Sequence, residues 1–247
     1  MAHAWMICGP KGIGKATLAY RFARYALSYG GVDKELGFFG DELPIGESSS
    51  LYTDPISPLF QRVAAGAHGD LLSIQRSLNG TGKLRSEIVV DNIREVGGFM
   101  STTASEGGWR IIIIDSADEM NRNAANAVLK ILEEPPDRAL LLLVTHNPGY
   151  LLPTIRSRCR KLSLRSLGTK DMSTLLNTYV PQLSHNDMFK LTDLAEGSIG
   201  CAVDLLEAGG LDLYSDCLTL LSSLPQLNMA NLHTLADQLS KAGAEEQ

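Results

Sequence analysis

Gly9-Pro10-Lys11-Gly12-Ile13-Gly14-Lys15 has the spacing G-x-x-x-x-G-K, which suits a loop that holds phosphate. Its glycines let backbone N–H groups turn inward as an anion nest. The start of a following helix would add partial positive charge, and Lys15 would reach the terminal phosphates. The next residue is Ala16, where such loops usually carry the hydroxyl that holds Mg²⁺. Thr17 is one residue late and stands about 100° further round a helix. A second acidic position points the same way. The run Ile111 to Ile114 ends in Asp115, but Ser116 follows where a glutamate would polarise the attacking water. Asp118 and Glu119 come too late to fill that position. Asp115 therefore has two readings: the survivor of a metal site, or a strand-end residue with Asp118 capping the next helix. The loop likewise has two: a nucleotide site, with ATP as ligand, or a glycine turn without one. Nothing in these residues makes any cofactor certain.

Elements that could position these groups are legible around them. Ala4 to Cys8 reads as a buried strand feeding the loop, and Ala16 to Ser28 as the helix after it, with Leu18, Phe22, Tyr25 and Ala26 at helical spacing. Residues 30–58 carry five glycines, three prolines and a serine run, and read as an insertion or long loop. His68 to Ile74 resembles a strand. Asn79-Gly80-Thr81-Gly82 reads as a turn, and a helix follows with Asp91 as its N-cap. Four consecutive isoleucines and the run Ala139 to Thr145 predict strands buried on both faces. Between them, Asn121 to Glu134 places Ala124, Ala127, Val128, Ile131 and Leu132 in one stripe and stops at Pro135-Pro136. A short helix at Pro153 to Arg156 leads to a last strand, Cys159 to Leu164. The alternation predicts an α/β parallel sheet with helices on both faces. After residue 166 only helical patterns remain: Asp171 to Tyr179, Asn186 to Ala195, Ile199 to Glu207, and another from near Leu211.

Composition narrows the partners. The 247 residues have a formal net charge of −6. A protein that gripped DNA unaided would need a basic surface. One local strip exists, Arg156, Arg158, Arg160, Lys161 and Arg165, a pattern most often found on solvated faces. No apolar run is long enough to span a bilayer, so no membrane partner is expected. Cys8, Cys159, Cys201 and Cys217 lie far apart without metal-ligand spacing, as reduced thiols in a cytoplasmic protein would.

Four segments in this order carry a resemblance: the Gly9 to Lys15 loop, His68-Gly69-Asp70-Leu71-Leu72, Ala125 through Leu132-Glu133-Glu134-Pro135-Pro136, and Arg156-Ser157-Arg158-Cys159-Arg160. Together they resemble the bacterial clamp-loader AAA+ family of DNA polymerase III subunits, over roughly residues 3–207. The resemblance implies an ATPase-like base at 1–165, a helical lid at 166–208 and the start of a helical collar at 209–247. A segment before the first strand and most of the collar are missing relative to the family. The chain is thus expected to be a fragment or a shortened product, which weakens ring assembly.

The resemblance implies a DNA replication role within the DNA-directed DNA polymerase holoenzyme. Ala16, Ser116 and the absence of arginine in Gly197-Ser198-Ile199-Gly200-Cys201-Ala202 match the family's non-hydrolysing stator, not its gamma or tau motors. Arg158 would then be an arginine finger acting in trans on a motor subunit's ATP; its alternative is a surface salt bridge. Thr145 matches a sensor position; its alternative is a strand-end hydrogen bond. The implied partners are subunits resembling delta and gamma or tau, the sliding clamp, and primed DNA through the complex. The family's zinc module would fall at residues 30–66, which contain no cysteine, so no zinc is expected. An active ATPase using Lys15, Thr17 and Asp115, and a plain interaction module without nucleotide, are the competing readings.

Overall fold

The computed structural model describes residues 3–29, 51–101, 104–105, 108–225, 229, 232–233 and 235–237. Most of the expected insertion, and most of the interval expected to lack zinc, lies outside the described residues. Two compact units emerge: Met1–Pro10 with Gly14–Arg165, and Lys11–Ile13 with Ser166–Gln247.

The first unit follows from strands that alternate with helices. It runs β1 (Ala4–Cys8), α1 (Lys15–Tyr29), α2 (Pro58–Ala64), β2 (Leu71–Ile74), α3 (Val90–Ser101), β3 (Arg110–Ile114), α4 (Arg122–Glu133), β4 (Ala139–Thr145), α5 (Pro153–Arg158) and β5 (Arg160–Ser163). The strands pair in the order β2-β3-β4-β1-β5, and each pairing is parallel. Side chains alternate faces along a strand, so one apolar run fills two cores. Ile112, Ile114, Leu141 and Leu143 pack with Ile93 and Val96 of α3, Val128 and Leu132 of α4, and Ile155 of α5. Ile111, Ile113, Leu140 and Leu142 face the other way onto Ala19, Ala23 and Ala26 of α1 and Val63 of α2. The alanine stripe lets α1 lie close to the sheet. β5, the last strand, lies at the sheet edge with exposed residues.

Three local readings need correction. Asp91 does not cap α3, which already begins at Val90; it lies in the first turn and pairs with Arg94 at 2.6 Å. The carboxamide oxygen of Asn92 instead accepts the Val89 N–H at 3.2 Å. Asp118 does not cap α4: Asn121 does, accepting the Ala124 N–H at 2.9 Å. Helix α2 was not anticipated, although its signal is present: Ser57 Oγ accepts the Phe60 N–H at 3.2 Å, and Pro58 occupies the first turn.

In the second unit, α6 (Thr169–Tyr179), α7 (His185–Leu194), α8 (Ile199–Glu207) and α9 (Gly210–Ser222) follow one another. Met172, Leu176, Met188, Leu191, Ala195 and Ala202 form its core. Within this unit the Lys11 carbonyl accepts Ser198 Oγ at 2.9 Å, and the Gly12 carbonyl accepts the Gly200 N–H at 2.9 Å. A Cβ on Gly12 would stand 2.2 Å from Ser198 Oγ, and its φ of +75° disfavours side chains in any case.

The two kinds of local support should differ in size. Leu143→Ala, at a fully buried site, is expected to cost about 2–5 kcal/mol. Asn121→Ala, which removes one cap, should cost about 1 kcal/mol. Denaturant unfolding of the two variants checks the ranking, and a Leu143→Ala cost no larger than the cap's would contradict a sheet buried on both faces.

Candidate functional site

The loop leaves the carboxyl end of β1 and enters α1 at Lys15. Gly14, like Gly12, has positive φ, +89°, so the backbone turns as an anion nest requires. Lys15 is only 3% exposed, and its ammonium donates to the Pro10 carbonyl of its own loop. A phosphate would have to take the lysine from that carbonyl. Burial holds the Lys15 pKa below the ordinary value, partly offset by the carboxylates of Asp118 and then Asp115. Gly9 is half-buried, Pro10 and Lys11 exposed, Ile13 buried and Ala16 half-buried. Thr17 shares one face of α1 with Tyr20 and Arg24, and the three line a cavity of about 550 Å³ against β2. Its hydroxyl therefore belongs to that cavity wall.

Asp115 follows β3 and donates its backbone N–H to Ile74 at 2.9 Å. Ser116 stands at φ 60°, ψ 55°, and its hydroxyl lies 3.3 Å from His146 Nε2. The Asp118 carboxylate accepts the N–H of His146 at 3.1 Å and that of Asn147 at 2.9 Å, tying the end of β3 to the end of β4. Thr145 ends β4 fully enclosed, and its hydroxyl has no partner among the described residues. The strand-end hydrogen bond weighed for it is not formed. Desolvation lowers the His146 pKa from its ordinary 6.5, with Lys15 acting in the same direction and Asp118, Asp115 and Glu119 against it.

The site thus gathers Lys15, Asp115, Ser116, Asp118 and His146. The last two were not marked for this site by residue type and spacing. The signal for His146 was its position directly after Thr145. None existed for Asp118 as an acceptor, because its partners are 28 and 29 residues away. The backbone nest fits a phosphate. The side chains do not complete a magnesium set: Ala16 has no hydroxyl, and Ser116 replaces a carboxylate. Among the described residues no three His, Cys, Asp or Glu side chains group as metal ligands.

Arg158 is elsewhere. It ends α5, two residues before β5, and the register pairs Arg160 with Trp5 and Ser163 with Cys8. It therefore sits at the amino edge of the sheet, while the loop leaves the carboxyl edge, roughly 15 Å away at 3.3 Å per residue. An arginine side chain cannot span that distance, so Arg158 cannot serve its own loop. One η nitrogen donates to the Thr154 carbonyl at 3.1 Å and the other to Glu133 Oε1 at 2.9 Å. The salt-bridge alternative is therefore present in the structure. Nearby, the Arg160 guanidinium stacks on Trp5 at 5.6 Å. Burial pushes the Cys159 thiol up to about 12 and also raises Cys8, and all four cysteines are free.

Residues 47–168 match the family model described as DNA polymerase III, delta subunit. A delta-prime subunit of DNA polymerase III from Pseudomonas aeruginosa is 37% identical over 158 residues, 64% of this chain and 42% of that protein. The delta-prime subunit of Escherichia coli is 30% identical, over 83% of this chain and 54% of its own length. A gamma subunit from Buchnera aphidicola is 28% identical over 83% of this chain and 51% of its own. The chain spans about half the length of the curated relatives it matches. Among solved structures, a gamma subunit-related protein from Thermotoga maritima aligns with TM-score 0.51 at 20% identity, covering 94% of this chain and 61% of that one. This shows a shared fold. Among the described residues no helix is long and apolar enough to cross a membrane.

Two outcomes follow from the Asp118–His146 contacts. Asp118→Ala leaves two backbone amides without their acceptor and should cost about 1–3 kcal/mol in denaturant unfolding; an unchanged midpoint would show that the link contributes nothing. A lowered His146 pKa means that the unfolded chain binds more protons just below pH 6.5. His146 therefore contributes stability above that pH and loses it as pH falls. Thermal unfolding at about pH 7.5 and about pH 5.5 should show a smaller acid loss for His146→Gln than for the unaltered chain. An equal loss would contradict a neutral, desolvated imidazole.

Proposed function

We propose that this chain, which belongs to the DNA polymerase III delta-prime family, is a clamp-loader stator: a subunit that donates Arg158 to a nucleotide held by a neighbouring motor subunit and turns over none itself. In this reading residues 1–165 are the base, 166–208 the lid and 209–247 the opening of the collar. Its partners are subunits of delta and of gamma or tau type, and through them the sliding clamp and primed DNA. It works in the cytoplasm, where four free cysteines are expected to stay reduced.

One observation supports the finger above all others: Arg158 is presented at the sheet edge opposite its own phosphate loop. Only a phosphate on another molecule can reach it. A guanidinium is charged at any working pH and offers a planar fork of donors to phosphate oxygens. Aimed at a departing γ-phosphate, such a group stabilises the charge that develops there. The stator half rests on Ala16, Ser116 and a Lys15 already bonded within its loop. The nest can hold a nucleotide's phosphates once Lys15 is released. Thr145, at the end of β4, would respond to such a ligand only if the site opened around it.

Arg158→Ala in a loader reconstituted with motor subunits tests the finger. The adjoining site should lose about 10³-fold or more of its rate. The loss should appear as a missing share of clamp-stimulated ATP turnover and as failed loading. Normal turnover and loading would sink the assignment. Vigorous Mg²⁺-dependent hydrolysis by the isolated chain would favour a gamma- or tau-type motor instead.

A further inference from the structure

Arg158 and Glu133 close a contact that joins the ends of two helices. Helix α4 stops at Glu133, just ahead of Pro135-Pro136, and α5 stops at Arg158. Both helices are fixed from beneath: Leu132 is 2% exposed, and Ile155 is completely buried in the same core. The two backbones are therefore held while the side chains above them are not. The Arg158 side chain is 38% exposed and that of Glu133 51%. Among the described residues, Glu133 and the Thr154 carbonyl are the hydrogen-bond partners of Arg158.

We propose that Glu133 is a cis tether for Arg158: a positioning residue that parks the guanidinium when no partner nucleotide is present and must release it when one arrives. This rests on the reading of Arg158 as a finger acting in trans. A pair this open to solvent is weak once the entropy of ordering both side chains is counted. A single carboxylate oxygen meets one η nitrogen. A polyphosphate offers more negative charge and a two-pronged contact to the same fork, so exchange of partners is downhill. The tether thus competes with the neighbour's ATP for one cation, and the competition is small enough to be won on every cycle. No group is transferred and no bond is made; only the hydrogen-bond acceptor changes.

Because the tether opposes engagement, its removal should produce a gain. Glu133→Gln keeps the shape and removes the charge. In the reconstituted loader it should raise kcat/KM for ATP by about two- to five-fold through KM, with kcat at saturation unchanged. Glu133→Asp, which keeps the carboxylate, should fall back toward the unaltered protein. On the chain alone, phenylglyoxal modification of Arg158, followed by peptide mass spectrometry, should run about two- to five-fold faster in Glu133→Gln. A purely structural role would lower kcat/KM, and that result, or an unchanged KM, overturns the tether. Arg158→Ala run alongside separates the failures. If it lowers turnover while Glu133→Gln does nothing, the finger stands and the tether falls. If it too is without effect, the finger reading itself has failed. Unfolding midpoints of all variants confirm that each is folded.

Discussion

A strand buried on both faces has nowhere to hide an unpaired backbone group, so it must lie inside a sheet. The pairing of β3 with β4, Ile111 opposite Leu140 through Ile114 opposite Leu143, imposes that constraint here. Everything chemical in the first unit is hung from the ends of these strands and their neighbours. Because the strands are parallel, every carboxyl end points one way. The phosphate loop, Asp115 and Thr145 share that edge, while Arg158 is left at the other.

That separation fixes what each set of groups can do. At the carboxyl edge burial lowers the pKa of Lys15 and of His146, and the carboxylates of Asp118 and Asp115 oppose both shifts. Asp118 spends its charge on the amides of His146 and Asn147, so it is acting as a structural acceptor. Lys15 is satisfied by a backbone carbonyl. Lys15 and Asp118, the two charged groups here with described hydrogen bonds, are both taken up by backbone groups. At the amino edge the situation is reversed. Arg158 is 38% exposed and paired to one oxygen of Glu133.

How much of this was legible depends on the range of the interaction. The strands β1, β3 and β4, the helix after the loop, and the stop of α4 before Pro135 follow from local pattern, because apolar period and proline sterics act within a few residues. Helix α2 was equally local, yet its Ser57-Pro58 start was hidden at the end of a glycine-rich stretch. Asp91 and Asp118 looked like caps because cap residues and acceptors share one chemistry. Asp91 met its partner within one helical turn, at Arg94, whereas the amides that Asp118 would meet depended on how the chain folded back.

By itself the sequence determined the parallel α/β class, the glycine spacing of the Gly9–Lys15 loop, and the presence of Ala16 after Lys15 and Ser116 after Asp115, since each is written in residue type and spacing. It also carried the family likeness on which the reading of Arg158 depends. Tertiary structure alone decided that Glu133 would meet Arg158 across 25 residues, that Asp118 would bind the end of β4, and that Thr145 would be sealed without a partner. The reason is geometric. Spacing along a chain sets which residues share a face, but only the register of paired strands and the docking of helices on them sets which side chains can touch.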